Sequence, residues 1–217
     1  AFCESFIDAM QTSYPSVLNN DDFTAIITEQ QKARLQSYLD DAEQKGAKLI
    51  TINPSNESFE GSKKLPMTIV LGATDDMLVM SEEIFGPILP VLPFDKLDDA
   101  FDFVNSRPRP LALYYFDWDK KRADTLLKAT HSGGVCINDT LSHVMADDVP
   151  FGGVGPSGMG HYHGEEGFLT FSKAKAVVRK GRINATALVG PPWGNRMFSM
   201  MKVMQNLRFR KRKIRDL

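Results

Sequence analysis

Apolar positions along the chain fall into two periods. At helical spacing, Phe2, Phe6, Ile7 and Met10 make a first stripe. It should end near Tyr14-Pro15, because a proline disfavours helical geometry in the residue before it. Residues 16–23 read as loop. Thr28 suits the N-cap of a second helix reaching Lys45, with Leu35, Leu39 and Ala42 inward and Gly46 as the left-handed stop. Short apolar runs predict strands at 48–52, 66–71, 87–92, 111–116 and 135–138. Between the first two lies a polar excursion, 53–65, expected on the surface. Asp95 is expected to cap a helix through Asn105, with Leu97, Phe101 and Val104 inward. Asp117 is expected to cap another through Thr130, with Ala123, Leu126 and Leu127 inward.

Strands alternating with helices of this length imply an α/β fold: three layers, α/β/α, around a largely parallel sheet. Run 87–92 shows no polar alternation, as expected of a strand covered on both faces. In open sheets of this kind ligands lie beyond the carboxyl ends of the strands. That rule points to Asn138 and to the loop from 139 to about 166, expected to hold little regular structure. The loop contains PFGGVGPSGMG over 150–160, five glycines in nine residues from Gly152 to Gly160. No Lys-Ser or Lys-Thr follows, and no strand-to-helix turn surrounds it, so it is not a phosphate cradle.

Bulk composition narrows the function classes. The 217 residues are 42% hydrophobic and 24% charged, enough to build a core, and a net charge of −1 gives no bias toward nucleic acid. Cys3 and Cys136 form neither a disulfide framework nor a metal-ligand spacing, which fits a reducing, cytoplasmic setting. No run of about 18 apolar residues is present. The chain opens inside a helical pattern without an initiator Met, and so reads as part of something longer.

Three motifs then stand in order: EEIFGP over 82–87, SGGVCIND over 132–139 and PFGGVGPSGMG over 150–160. Together with His161-Tyr162-His163-Gly164 and Phe168-Leu169-Thr170-Phe171-Ser172, they resemble the aldehyde dehydrogenase superfamily, in particular its class-3-like branch and the bacterial coniferyl-aldehyde type. The resemblance extends to about Lys180. It implies oxidation of an aldehyde to the acid through a cysteine thioester, with NAD or NADP taking the hydride. It also implies a domain plan: 1–172 the C-terminal portion of the catalytic domain, 173–180 an oligomerisation strand, and 181–217 a tail. The family's nucleophile sits in a Gly-Gln-x-Cys type motif that this chain lacks. Cys3 and Cys136 do not inherit that role, no catalytic residue is assigned, and the 217-residue chain alone is expected to be inactive.

By resemblance, Glu83 matches the glutamate that holds the nicotinamide ribose, since a carboxylate accepts hydrogen bonds from both hydroxyls of a diol. Phe85 matches the aromatic beside the nicotinamide. Phe151 matches a substrate-tunnel aromatic, with Leu141 and His143 in the loop expected to line that tunnel. The implied partners are an aromatic or medium-chain aldehyde and a second copy of the chain, in a homodimer or larger assembly. His161 and His163 lack a carboxylate at ligand spacing, so no metal is expected. In the tail, Trp193, Met197, Met201, Met204 and Leu207 share one helical face, followed by six basic residues from Arg208 to Arg215. Packing on a subunit partner is preferred there to a peripheral membrane contact through 193–215, because the basic residues follow the apolar face rather than flank it. The alternative for the whole chain is a non-catalytic relative acting through dimerisation or its basic tail.

Overall fold

A computed structural model describes residues 1–182, 191 and 194–209. It divides into two units. The first comprises residues 1–109 and 117–131; the second comprises 110–116 and the chain from 132 onward. Residues 110–116 belong with the later part of the chain because their strand finds its ladder partner there.

In the first unit, α1 (Phe2–Ser13) ends at Tyr14, before Pro15. Helix α2 (Glu29–Gln44) starts on Thr28, whose hydroxyl accepts from the Gln31 amide at 3.2 Å. It stops where Gly46 takes a φ of 93°. Its buried face is Leu35, Tyr38, Leu39 and Ala42. That face lies in a core with Val70, Met77, Val79 and Ile88, where Leu35 and Val70 are completely enclosed.

Strand β2 (Thr68–Leu71) is central. It pairs antiparallel with β1 (Lys48–Thr51) and parallel with β3 (Ile88–Val91). The antiparallel pair has a local cause. A parallel return needs a long crossover, usually a helix, and the polar excursion between β1 and β2 contains none. Between β2 and β3 stands α3 (Leu78–Ser81), whose Val79 is buried.

Two helices complete this unit, α4 (Leu97–Asn105) and α5 (Lys120–Ala129). Their caps differ from expectation. Helix α4 begins after Lys96, whose amide donates to Asp99, so the stabilising carboxylate is inside the first turn rather than at Asp95. Helix α5 is capped by Asp119, which accepts from the amides of Lys121 and Arg122. Asp117 instead accepts from the Asp119 amide and pairs with Arg122. Ala123 and Leu126 are buried as expected, but Leu127 is half exposed.

The 53–65 excursion is less free than its polarity suggests. The Glu57 carboxylate accepts from the Ser16 hydroxyl at 2.6 Å and from the amides of Val17 and Leu18. From the other side the Lys64 ammonium donates to the carbonyls of Val17, Leu18 and Asn20 at 2.7 to 3.0 Å. One loop is thus held through its N–H groups by an anion and through its C=O groups by a cation. Val17 is buried as a result.

These bonds, the Ser16 hydroxyl first and then the Val17 amide, hold Glu57 below the ordinary glutamate value of 4.5. A carboxyl depressed by folding stabilises the folded state above its unfolded pKa. That contribution is lost as pH falls through the folded value. Glu57→Gln should therefore lower the urea midpoint at neutral pH and flatten its decline below about pH 4.5. Parallel acid limbs for the two proteins would contradict this.

In the second unit, β4 (Ala112–Tyr115) pairs parallel with β5 (Gly134–Ile137), with Tyr114 opposite Cys136. The loop beyond β5 holds more structure than expected. It contains α6 (Ser142–Met145), the start of α7 (Gly164–Thr170), and a bridge between Phe151 and Tyr162. Residues 173–180 are exposed and join no ladder among the described residues. A strand needs a neighbour for its N–H and C=O groups, and among the described residues none pairs with this stretch. Helix α8 (Asn195–Phe209) carries Met197, Met201, Met204 and Leu207, the last three exposed. Trp193 and the basic residues from Arg210 on lie outside the described residues.

The α/β character and the predominance of parallel pairing hold: of the three strand pairings among the described residues, two are parallel. No helix among the described residues is long and apolar enough to cross a membrane.

Candidate functional site

The 82–87 loop bridges the end of α3 and the start of β3. Three anchors set its backbone. Ile84 packs against the core of α2 and β2. Gly86 sits directly on Leu35; a Cβ there would lie 2.8 Å from Leu35 Cδ2, too close for an ordinary contact. The Arg34 guanidinium reaches across from α2, donating to the carbonyls of Glu83 and Ile84, both at 2.8 Å. Pro87 then closes the loop by accepting from the Thr68 amide at 2.9 Å.

Between these anchors Phe85 adopts a φ of 46°. An aromatic rarely takes this left-handed conformation, which costs about 1–3 kcal/mol and persists only when its surroundings impose it. The result is a loop whose backbone is held while Glu83 and Phe85 project outward. The Phe85 ring is 86% exposed, an unusual state for a large aromatic. Glu83 is exposed, and among the described residues no side chain bonds its carboxylate.

Both side chains line one open cleft of about 1010 Å³. Its other walls come from Tyr14 beyond α1, from Phe23, Ile26 and Ile27 in the loop before α2, and from Arg34 and Tyr38 on α2. A cleft with an acceptor-only carboxylate, a bare aromatic face and apolar walls suits a ligand that has hydroxyls and a flat ring.

The other candidate residues lie in the second unit. The Cys136 thiol is buried and stands 3.1 Å from His143 Nδ1. The His143 ring also meets Tyr114 edge-on at 5.9 Å and Phe151 at 5.3 Å. Its Nε2 is buried without a hydrogen bond among the described residues. His143 is thus part of an aromatic cluster on β4 and β5, and it lines neither the 1010 Å³ cleft nor the smaller cavity described next.

Phe151 does line an open cavity, of about 330 Å³, with Leu111, Met159, Tyr162 and Phe171 among its neighbours. Two backbone hydrogen bonds to Tyr162, at 3.0 and 2.9 Å, hold it there. Leu141 is exposed, with a φ of 65° at the entrance to α6, and lines neither cavity. Of the expected tunnel residues the structure brings Phe151 and His143 together and leaves Leu141 apart.

Sequence reasoning missed two features. Arg34 was one position in a polar helix face, and its partners are carbonyls 49 and 50 residues away. The Cys136–His143 contact depends on the turn through Asn138 and Leu141, both with positive φ. Among the described residues no cluster of His, Cys, Asp and Glu is placed to hold a metal ion.

Fold and motifs together define an α/β chain with an exposed glutamate and aromatic on a rigid loop. The aldehyde dehydrogenase family model matches residues 1–177, and the chain belongs to that family. It is 53% identical over 206 residues to the probable coniferyl aldehyde dehydrogenase of Pseudomonas aeruginosa, covering 95% of this chain and 42% of that protein. It is 45% identical over 202 residues to the coniferyl aldehyde dehydrogenase of a Pseudomonas species, covering 92% and 41%. The chain thus spans about two fifths of the length of the curated relatives it matches. Among solved structures, a substrate-bound aldehyde dehydrogenase of Staphylococcus aureus superposes with a TM-score of 0.72 at 32% identity, covering 93% of this chain and 44% of that one. An indole-3-acetaldehyde dehydrogenase solved with NAD+ gives 0.62 at 28% identity, covering 70% and 30%.

Proposed function

We propose that this chain supplies the nicotinamide-facing wall and part of the substrate-facing wall of an NAD(P)-dependent aldehyde dehydrogenase. The substrate class is a coniferyl-type aromatic aldehyde or a medium-chain one. The observation that carries this is the 82–87 loop. Its backbone is fastened at three points while, unpartnered among the described residues, Glu83 and Phe85 stand in a cleft large enough for a nucleoside.

The residues fit a nicotinamide nucleotide chemically. The Glu83 carboxylate would hold the sugar, since a carboxylate can accept from both ribose hydroxyls. The exposed Phe85 ring would offer apolar surface to the flat base. The cofactor, when bound, accepts the hydride. Neighbours solved with NAD+ favour that form, with NADP as the alternative. Phe151 and the cavity beside it contribute apolar surface toward an aromatic aldehyde. Leu141 and His143 belong to the same loop, His143 acting by holding the aromatic cluster rather than by touching substrate. No Gly-Gln-x-Cys motif occurs in residues 1–217, so on this reading the nucleophile comes from elsewhere in the enzyme, and the chain by itself does not reduce NAD. On the same reading the enzyme works in the cytoplasm as a dimer or larger assembly, with 173–180 pairing against another subunit.

The test is Glu83→Gln in the full-length enzyme. Gln keeps the size but removes the charge, and a hydrogen bond to a charged group is worth about 1.5–3 kcal/mol. The cofactor KM should rise about 10- to 100-fold, with the KM for coniferyl aldehyde little changed. An unchanged cofactor KM would remove Glu83 from the site.

A further inference from the structure

Arg34 stands out among the charged side chains around the cleft. Its Nε donates to Gln31 at 2.6 Å; one terminal nitrogen donates to the Tyr38 hydroxyl at 2.9 Å and to the Glu83 carbonyl, and the other donates to the Ile84 carbonyl. The guanidinium also lies over the Tyr38 ring, 5.0 Å from its centroid. All four acceptors are uncharged oxygens. An arginine on a helix surface ordinarily turns toward a carboxylate; this one is spent on the backbone of a distant loop.

We infer that Arg34 is the positioning residue for Glu83: by clamping two successive carbonyls it aims the carboxylate and so sets affinity for the nicotinamide cofactor without touching it. This inference rests on the reading of Glu83 as the ribose ligand.

The geometry explains how. The Glu83 carbonyl belongs to the peptide plane entering Ile84, and the Ile84 carbonyl belongs to the plane leaving it. A planar fork that holds both fixes the rotation between Glu83 and Phe85. With Ile84 in the core and Gly86 on Leu35, the clamp forces Phe85 into its left-handed conformation and keeps Glu83 and Phe85 both turned to the cleft. Without the clamp the strain at Phe85 is no longer imposed, and the Glu83–Ile84 peptides are free to rotate. The carboxylate then samples orientations that do not face both hydroxyls of a ribose. Fixing a ligand-binding group before binding removes an ordering cost from the affinity. Lysine cannot replace the arginine here, because a single ammonium lacks the planar fork that spans two carbonyls.

The experiment uses the full-length enzyme with four variants: Arg34→Met, Arg34→Lys, Glu83→Gln and the double variant Arg34→Met/Glu83→Gln. Arg34→Met should raise the cofactor KM about tenfold, with the aldehyde KM and the thermal midpoint nearly unchanged; Arg34→Lys should fall between it and the parent. Because Arg34 acts through Glu83, the double variant should be no worse than Glu83→Gln alone. Three results would overturn the inference. One is a cofactor KM for Arg34→Met and Arg34→Lys within twofold of the parent while Glu83→Gln is impaired. Another is full additivity in the double variant, which would make Arg34 an independent contributor. The third is an unimpaired Glu83→Gln, which overturns the underlying reading as well. Should Arg34→Met fail to fold, Arg34→Lys and its double with Glu83→Gln carry the same comparison.

Discussion

Leu35→Ala is expected to cost the first unit about 2–5 kcal/mol, the range for deleting a fully buried leucine. Leu35 is 0% exposed and lies between Val70 on β2, Met77 and Ile88, the residues that bring α2 onto the sheet. Its loss removes the transfer free energy of three carbons and leaves a space that a rigid sheet closes poorly. The same side chain supports Gly86 from below, so the deletion also withdraws one of the three anchors of the 82–87 loop. Urea unfolding followed by helical signal should show the loss. Hydrogen exchange should quicken in α2 and in residues 82–88. Leu127, half exposed on α5, is the control: Leu127→Ala should fall within about 0.5 kcal/mol of the parent. If both leucines cost the same small amount, the core has been placed wrongly.

Gly133→Ala is expected to be strongly disruptive in the second unit. A Cβ at this position would lie inside contact distance of the Gly152 carbonyl oxygen and 2.6 Å from that of Leu111. Both obstacles are backbone, so no rotamer change relieves them. The Gly133 amide also donates to the Pro110 carbonyl, and the Gly134 amide to that of Leu111, which sets the start of the β4–β5 ladder. Relief therefore requires shifting the ladder or lifting the 150–160 loop off it. Overpacking of this kind typically costs about 1–3 kcal/mol and occasionally more, and rigid backbone on two sides argues for the upper end. Amide exchange at Phe151 and Tyr162, which donate to each other's carbonyls, should accelerate well beyond that in the first unit. Equal exchange at those two amides in parent and variant would show that the loop does not rest on Gly133.

Particular residues show what could be read in advance. Thr28, Gly46 and Pro15 act through their own backbone neighbours, so the bounds of α2 and the end of α1 follow from local chemistry. Leu35, Leu39 and Ala42 repeat at helical spacing and share one face whatever they pack on. Where a signal had two equivalent sources, the reading slipped. Asp117 and Asp119 are both acidic residues near the start of α5, and only the entering chain direction decides which carboxylate reaches the free amides. Residues 173–180 have strand composition, but a strand is a relation between two segments, and no described segment of this chain lies alongside.

For the candidate site, the residue types at 82–87 could be read, and their resemblance to a family motif pointed to Glu83 and Phe85. Sequence alone thus determined the alternating α/β pattern, the element bounds that rest on caps and breakers, and the motifs. Only the tertiary structure decided that Glu83 and Phe85 share a cleft and that the loop between them is held by Arg34. It likewise placed His143 against Cys136 and Tyr114 rather than in either of the two cavities. The physical reason is range. Caps, turns and periodicity act within a few residues, whereas the guanidinium that orients Glu83 starts 49 residues away. Its hydrogen bonds go to carbonyl oxygens that every residue carries, so no side chain at 83 or 84 advertises them.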